Sequence, residues 1–430
     1  MQKITLGLLG LGTVGAGVAD LLLKNKTYYE KKFGFSLNLK VAIDRNISAP
    51  TGIRLPSSLL SENIGDILND PHIQIFVELI GGVNPAGTYI REALKKRKHI
   101  VTANKSLLAE QGPELFQLAQ ANQCDIYFEG SVGGTIPVIK VLSESLSANR
   151  IFAIYGIMNG TSNFILSKMS EEKLSFKAAL KLAQTLGLAE ANPAFDVQGT
   201  DAQQKLSILA SIAFNSFLSP SDIFTKGITK ITEEDIRYAG ELNYRIKPIA
   251  MAKRIQKTIA CHVLPMLIPQ THPLASVNGS FNAFYITGHA SGPLFLYGQG
   301  AGRFPTASAV VADIIDLAKN IVNHAPRRSV PFHYFQKKTL QPPRLSHSRY
   351  YFRFSTADRP GVLAQITSIL GKNQISIRAC IQPESLTKKI VSVIMETHPA
   401  LEAHVQRAVQ QIDRLKIIRN RTNILRIEDF

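Results

Sequence analysis

A glycine turn between a strand and a helix constrains the fold of this chain more than any other feature. The pattern G-x-G-x-x-G occupies residues 10–15, after an apolar stretch at 4–9 and at the start of a helical pattern over 12–23. Glycines let the backbone approach a pyrophosphate closely, and the N-terminus of the helix supplies partial positive charge. A tight turn without a ligand is the alternative. The flanking strand and helix favour dinucleotide binding.

The pattern continues as an alternation of strands and helices. Apolar stretches at 37–43, 73–79, 99–102 and 125–129 predict strands, and periodic stretches at 85–96 and 113–121 predict helices. Alternation with short turns predicts an α/β fold with a Rossmann-type, doubly wound parallel sheet. We predict that residues 1–134 form this domain and that ligands bind at the carboxyl ends of its strands.

The rest of the chain has a different pattern. Residues 135–325 mix β-rich stretches with helical patterns, among them one at 136–146 and a strongly amphipathic one at 308–320. This mixture predicts an α+β catalytic and dimerisation domain. Residues 326–348 are rich in proline and basic residues and predict a linker. Residues 349–430 read strand, helix, two strands, helix and strand, which predicts a ferredoxin-like βαββαβ domain.

Bulk properties limit the classes of function. The formal net charge is +17, but the basic residues are spread along the chain without interleaved aromatic residues. We therefore expect neither nucleic acid nor a membrane as partner. No apolar run is long enough to span a bilayer, and we predict a cytoplasmic protein. Three scattered cysteines are typical of buried free thiols, neither paired in disulfides nor holding a metal.

The second predicted strand ends in Asp44 and Arg45. An acidic residue at this point holds the adenosine ribose of NAD, whereas an arginine accommodates the 2′-phosphate of NADP. The sequence offers both side by side. The choice between the two cofactors therefore stays open at this stage.

Two further clusters carry chemistry. Lys105 follows a strand end in the nucleotide domain, where the nicotinamide half of a cofactor is expected, although a surface lysine at the start of a helix would fit the pattern equally well. Asp201 and Lys205 are four residues apart, so they share one helix face. An exposed helical ion pair would explain that spacing without function. The nearby acids instead suit the ammonium group of an amino acid, and a lysine can transfer protons.

The sequence resembles the monofunctional homoserine dehydrogenases over nearly its whole length. The matching segments are, in order, LGLGTVG, TANK, LGLAEANPAFDVQGTDAQQK, GITKIT and the run from FNA to GQGAGRFPTASAVVADIID. The C-terminal DRPGVLAQI is similar to the opening of ACT domains, which usually bind amino acids and often mediate association.

The resemblance implies reversible NAD- or NADP-dependent oxidation of L-homoserine to L-aspartate 4-semialdehyde, in threonine, methionine and isoleucine biosynthesis. It implies that Lys205 transfers the proton and that Lys105 lies across the site, where two ammonium groups disfavour each other's charge. Glu190 and Asp201 would hold the substrate, with Asp196 in support. The implied cofactor contacts are Gly10, Gly12, Thr13, Val14, Gly15, Asp44, Arg45, Lys105, Gly187 and Gly302.

The family also implies a monovalent cation (Na⁺) held by backbone carbonyls at Glu129, Val132, Gly134 and Ile136, although a glycine-rich connection without an ion would look the same. It implies feedback control through the ACT domain, by an amino acid such as L-threonine, and at least a dimer. Where the family often has Gly-Asp, this chain has Gly288 and His289, and we expect His289 to be a surface loop residue. Two alternatives are a dehydrogenase of another amino-acid aldehyde and an inactive amino-acid sensor. The set of Glu190, Asp201 and Lys205 disfavours both.

Overall fold

A computed structural model describes residues 1–47, 52–325, 339–382 and 390–430. Its strands are β1 (Gln2–Leu9), β2 (Phe35–Ile43), β3 (Leu60–Ser61), β4 (Ile75–Glu78), β5 (His99–Thr102), β6 (Ile126–Tyr127), β7 (Ile151–Ile157), β8 (Phe224–Thr225), β9 (Tyr244–Ile255), β10 (Thr258–Pro269), β11 (Phe281–Gly288), β12 (Gly292–Gln299), β13 (His347–Ala357), β14 (Ile377–Ile381), β15 (Ile390–Thr397), β16 (Ala400–Leu401) and β17 (Ile418–Ile427).

Helices occupy much of the remainder. They are α1 (Thr13–Lys24), α2 (Lys26–Phe33), α3 (Gly65–Leu68), α4 (Ala86–Lys95), α5 (Lys105–Ala121), α6 (Val138–Lys140), α7 (Gly160–Glu171), α8 (Phe176–Thr185), α9 (Ala194–Val197), α10 (Thr200–Phe214), α11 (Glu233–Glu241), α12 (Arg303–Val322), α13 (Val362–Lys372) and α14 (Glu402–Ile412). Across the described ranges, every helix is either too short or too polar to span a bilayer.

The chain forms two compact units. The first unit comprises residues 1–154, 201–223 and 281–337, and the second comprises 155–200, 224–280 and 338–430. The domain limits predicted from the sequence remain a proposal. Within the predicted linker, residues 326–338 lie outside the described residues, while Leu340 forms a bridge to Ile259 of the second unit.

A six-stranded sheet organises the first unit. Its strand order is β3-β2-β1-β4-β5-β6, and every pair is parallel. This is the doubly wound order of dinucleotide-binding folds, in which the direction of winding reverses between β1 and β4. The predicted Rossmann-type sheet is confirmed. Ligands of such sheets bind beside the reversal point, outside the carboxyl ends of the strands.

A helix from late in the chain completes the core of this unit. The apolar stripe of α12 buries Val310, Ile314 and Leu317 completely, in one cluster with residues of β1, β2, β4 and α1. Burying each such side chain contributes about 1.5–3 kcal/mol. A Cβ on Gly17 would lie 3.0 Å from both Arg303 and Ala307, so this glycine permits the close packing of α1 on α12.

A mixed sheet organises the second unit, in the order β9-β10-β17-β13-β15-β14. The last four strands are antiparallel and, with α13 and α14, form the predicted ferredoxin-like βαββαβ arrangement. This prediction is confirmed. The strand β17 also pairs in parallel with β10 through Met266 and Leu267. The strands of the ferredoxin-like arrangement are therefore part of a larger sheet.

Side-chain alternation along β13 explains why both faces of that sheet are covered. Tyr350, Phe352 and Phe354 point to one face and pack with residues of α13 and α14. Tyr351 points to the other face and joins a core made with α7, α8 and α11. Successive side chains on a strand alternate between faces, so β13 is buried on both.

The buried carboxylate of Asp235 joins β13 and β17 to α11. It accepts hydrogen bonds from Arg353 Nε (2.6 Å), Asn423 Nδ2 (2.8 Å) and Tyr351 OH (3.3 Å). Both the backbone N–H and the hydroxyl of Thr232 also donate to it. The hydroxyl oxygen of Thr232 accepts from Asp235 N at 3.2 Å, which completes a capping box at the start of α11. We call these five residues the Asp235 cluster.

Three local predictions were wrong. The helix predicted from residue 113 begins at Lys105 and contains Pro113, because Asn104 caps it earlier and accepts a hydrogen bond from Leu107 N. The stretch 136–146 forms only short α6 followed by a π-helical turn over Val141–Ser145. Cys124 and Cys261 are buried free thiols as expected, but Cys380 is exposed on the edge strand β14.

Candidate active site

The predicted glycine turn has the geometry that a dinucleotide needs. Gly10 has φ +99°, and a Cβ there would lie 2.8 Å from the carbonyl carbon of Leu79. A Cβ on Gly15 would lie only 1.8 Å from the carbonyl oxygen of Gly10. Both positions therefore require glycine, whereas Gly12 faces open space. The turn leads directly into α1, whose first residue is Thr13.

A cavity of about 500 Å³ opens at this turn, between the ends of β1, β2 and β4. Four of the predicted cofactor residues line it: Gly10, Gly12, Asp44 and Arg45. Others do not line it: Thr13, Val14, Gly15, Lys105 and Gly302. Val14 packs against the core, and Gly15 has the steric role just described. The cavity also contains Glu62 and Tyr89, which the sequence did not indicate.

A buried hydrogen-bond network fixes the strand end that carries Lys105. Glu78 accepts hydrogen bonds from the hydroxyl of Thr102 (2.7 Å) and from the backbone of Ile80 (2.9 Å). Asn104 Nδ2 donates to Gly82 O at 2.6 Å. Burial raises the pKa of Glu78. Sequence reasoning missed this residue, although an acid at the end of an apolar strand was a usable signal.

The two predicted lysines meet at one carboxylate. Lys205 Nζ lies 2.7 Å from Asp201 Oδ2, and Lys105 Nζ lies 3.3 Å from Asp201 Oδ1. Asp201 and Lys205 are buried, at 5% and 8% exposure, so their pairing is not an exposed helical ion pair. Because a single carboxylate faces two ammonium groups, the site holds more positive than negative charge among these three side chains.

The other predicted substrate residues belong to the second unit. Asp196 accepts a hydrogen bond from Asn159 Nδ2 at 2.7 Å, and Glu190 has an exposed side chain. Thr161 Oγ1 donates to Leu188 O at 2.6 Å. Asn159 and Thr161, at the start of α7, therefore hold the segment that contains Gly187, Glu190 and Asp196. Sequence reasoning did not single out these two polar residues.

The predicted cation residues form a buried turn in the first unit. The carboxylate of Glu129 accepts hydrogen bonds from Ile139 N and Lys140 N, both at 2.8 Å. Burial, together with Asp313, raises the pKa of Glu129. Gly134 has φ +57°, and a Cβ there would lie 2.6 Å from Gln299 O. In the described part of the chain, no cluster of three or more His, Cys, Asp or Glu residues suits a metal.

Two residues singled out from the sequence lie in loops of the C-terminal half of the chain. Gly302 has φ +123° and immediately precedes α12, a 20-residue helix whose N-terminus is electrostatically suited to an anion. His289 is exposed, and its Nδ1 accepts a hydrogen bond from Arg150 N at 3.0 Å. The expectation that His289 is a surface loop residue is confirmed.

A dinucleotide turn at the switch point of a parallel sheet, with a lysine after the end of a neighbouring strand, is the arrangement of a nicotinamide-dependent oxidoreductase. Matches to family models narrow this class to one family. Residues 10–129 match the NAD-binding domain of homoserine dehydrogenase, residues 137–315 match homoserine dehydrogenase itself, and residues 350–414 match the ACT domain. The chain belongs to the homoserine dehydrogenase family.

Relatives agree over the full length. The chain is 39% identical to a homoserine dehydrogenase of Neisseria gonorrhoeae over 435 residues, covering 100% of both chains. It is 37% identical to that of Bacillus subtilis, covering 100% of this chain and 99% of the relative. The crystal structure of a homoserine dehydrogenase from Thiobacillus denitrificans superposes with a TM-score of 0.94 at 42% identity, covering 100% and 99% of the two chains.

Proposed function

We propose that the protein catalyses the reversible oxidation of L-homoserine to L-aspartate 4-semialdehyde with NAD or NADP, a step of threonine, methionine and isoleucine biosynthesis. The observation that carries this proposal is the contact of Lys105 and Lys205 with opposite oxygens of Asp201. When bound, the nicotinamide accepts a hydride from the hydroxyl carbon of homoserine.

The side chains supply proton transfer and substrate binding. Lys205, in its neutral form, takes the hydroxyl proton and returns it in the reverse reaction. Asp201 contacts both lysines through its two oxygens and, with Glu190, holds the substrate. Glu190 binds the substrate ammonium group. Asp196, which accepts a hydrogen bond from Asn159, supports Glu190 in this role. Gly187 and Gly302 contact the cofactor.

The rate of NAD⁺ and NADP⁺ reduction with L-homoserine tests the proposal. We expect Lys205→Ala to lower the rate by about a hundredfold or more, because a positioned acid–base group is lost. Lys24→Ala is the matched control, since Lys24 also pairs with an aspartate four residues away but is 73% exposed. An inactive wild type that still binds an amino acid would favour the alternative, an amino-acid sensor on a dehydrogenase scaffold.

We also propose a monovalent cation at the turn of residues 129–136. The proposed ligands are the main-chain carbonyls of Glu129, Val132, Gly134 and Ile136, while the Glu129 carboxylate accepts N–H groups from Ile139 and Lys140. Carbonyl oxygens suit a hard cation. Replacing Na⁺ by a bulky organic cation at constant ionic strength should lower the homoserine-dependent rate. An unchanged rate would remove the cation from the proposal.

Feedback inhibition through the ACT domain, with L-threonine as effector, is the regulatory part of the proposal. Deleting the domain is a poor test, because it would remove Tyr351, Ile394 and Leu425 and expose the core residues of α7, α8 and α11 that they cover. Asp358→Ala, in the turn before α13, keeps that core intact. We expect it to weaken inhibition by L-threonine, measured as the concentration that halves the rate. Wild-type activity insensitive to L-threonine would contradict this effector.

The proposed assembly is a homo-oligomer of at least two chains, which sedimentation equilibrium would establish. A cytoplasmic location stays a prediction from the sequence.

A further inference from the structure

We infer that this protein binds NAD in preference to NADP and that Asp44 determines the preference. The inference deepens the proposed function by naming the cofactor, and it rests on that function only in taking the cavity beside the glycine turn as the cofactor site. The sequence left the choice open because Asp44 and Arg45 are adjacent. The contacts of the two side chains decide between them.

The carboxylate of Asp44 is locked against the glycine turn. Its Oδ2 accepts a hydrogen bond from Leu11 N at 2.7 Å, inside the G-x-G turn. Its Oδ1 accepts one from Asn46 N at 3.1 Å, just beyond the strand end. Two backbone donors, one on each side, hold the carboxylate at the carboxyl end of β2. The side chain is half-buried there and lines the cavity.

This position suits a ribose hydroxyl and opposes a phosphate. A carboxylate has about four lone-pair sites, so two backbone hydrogen bonds leave room to accept from a ribose hydroxyl. The 2′-phosphate of NADP has no such donor when ionised, and it carries about two negative charges next to the carboxylate. Turning the carboxylate away would break its hydrogen bonds to Leu11 and Asn46.

The remaining charges of the cavity do not reverse this balance. Glu62, which follows β3, is a second carboxylate in the lining. Arg45 also lines the cavity, but it is exposed, so water screens its charge. Glu62 is exposed as well, so its charge and that of Arg45 are opposite and similarly screened. The half-buried carboxylate of Asp44, fixed beside the glycine turn, therefore decides the balance.

Equilibrium titration with NADH and NADPH, followed by nucleotide fluorescence in the absence of homoserine, tests the inference. We expect the wild type to bind NADH at least about tenfold more tightly than NADPH. Asp44→Asn keeps the shape and can still accept from Leu11, so it isolates the charge. We expect it to strengthen NADPH binding by about tenfold. Arg45→Ala should weaken NADPH binding more than NADH binding.

Controls separate this inference from folding and from the reaction. Glu110→Gln removes an exposed carboxylate on α5, outside the cavity lining, and should leave both affinities unchanged. Asp44→Ser is a second charge-removing variant, should Asp44→Asn fold poorly by circular dichroism. A wild type that binds NADPH as tightly as NADH, or binds neither, would overturn the inference. A tenfold preference for NADH without homoserine oxidation would leave it standing and sink the proposed function instead.

Discussion

Two buried aspartates, one in each unit, show how differently a carboxylate can be used. Asp201 in the first unit contacts the ammonium groups of Lys105 and Lys205. Asp235 in the second unit accepts from a guanidinium, an amide, a phenol, a hydroxyl and a backbone N–H. Lysine can release its proton, whereas arginine stays charged. The contacts of Asp201 with two lysines therefore suit proton transfer, whereas the contacts of Asp235 hold β13 and β17 against α11.

The largest expected effect comes from removing Asp235. Asp235→Ala leaves the buried guanidinium of Arg353 without its main partner, so we expect the free energy of unfolding to fall by about 3–5 kcal/mol. Asp201→Ala is the matched comparison. The side chain of its partner Lys105 is 30% exposed, so water can solvate part of the charge left behind, and we expect a smaller loss of about 1–2 kcal/mol.

Urea unfolding of both variants, paired with initial rates at a temperature where each is folded, measures this difference. Asp201→Ala should lose most of its homoserine-dependent activity, whereas Asp235→Ala should keep most of it. Equal losses of stability in the two variants would show that the two carboxylates play the same structural role.

A smaller effect should appear in the pH dependence of stability. Burial, together with the Arg426 guanidinium, lowers the pKa of His262 to about 3, against about 6.5 in an unfolded chain. Between these two values the unfolded chain binds the proton and the folded chain does not. Stability should therefore fall as the pH drops from about 6.5 towards 3, by at most about 1.4 kcal/mol per pH unit for this group.

Urea unfolding of the wild type and His262→Gln across that pH range isolates the contribution of His262. The variant should be less stable near neutral pH, where Ser346 loses its neighbour, but its stability should fall less steeply on acidification. His72→Gln removes an exposed histidine and should leave the slope unchanged. If His262→Gln has the wild-type slope, His262 is not the group that titrates.

The smallest expected effect belongs to a surface ion pair. Arg91 donates two hydrogen bonds to Glu114, at 2.7 and 2.8 Å, but the Glu114 side chain is 62% exposed. Solvent screens such pairs, so Glu114→Ala should lower the free energy of unfolding by about 0.2–1 kcal/mol. Glu110→Ala on the same helix corrects for helix propensity. If Glu114→Ala lowered the free energy of unfolding as much as Asp235→Ala does, burial would not explain the difference between the two carboxylates.

Local patterns in the sequence predicted those parts of the molecule that depend on neighbours along the chain. The glycine turn, the parallel sheet and the pairing of Asp201 with Lys205 all follow from short spacings, and the structure has them. The contact of Lys105 with Asp201 spans 96 positions, and only the family resemblance indicated it. Glu78 ends an apolar strand and Asp235 follows Thr232 by three residues, but the other partners of both carboxylates lie on other elements, which no local pattern specifies.

The choice between Asp44 and Arg45 shows the same limit at single-residue scale. The side chains of adjacent residues at a strand end point in different directions. Which of them points into the cavity depends on the backbone N–H donors within its reach. Leu11 N, 33 positions away, supplies the donor that fixes Asp44. The predicted helix start at residue 113 was wrong for a related reason, since the capping role of Asn104 depends on its own side-chain geometry.

The helix α12 has a consequence for the synthesis of the protein. Its buried face completes the core of β1, β2 and α1, yet its residues leave the ribosome after everything up to position 303. At about 5–20 residues per second, the first 134 residues would wait roughly ten to forty seconds for the helix that covers them. A growing chain would expose an apolar sheet face during that interval. We expect a fragment ending at residue 134 to aggregate when expressed alone, and the nascent protein to depend on chaperones until α12 emerges.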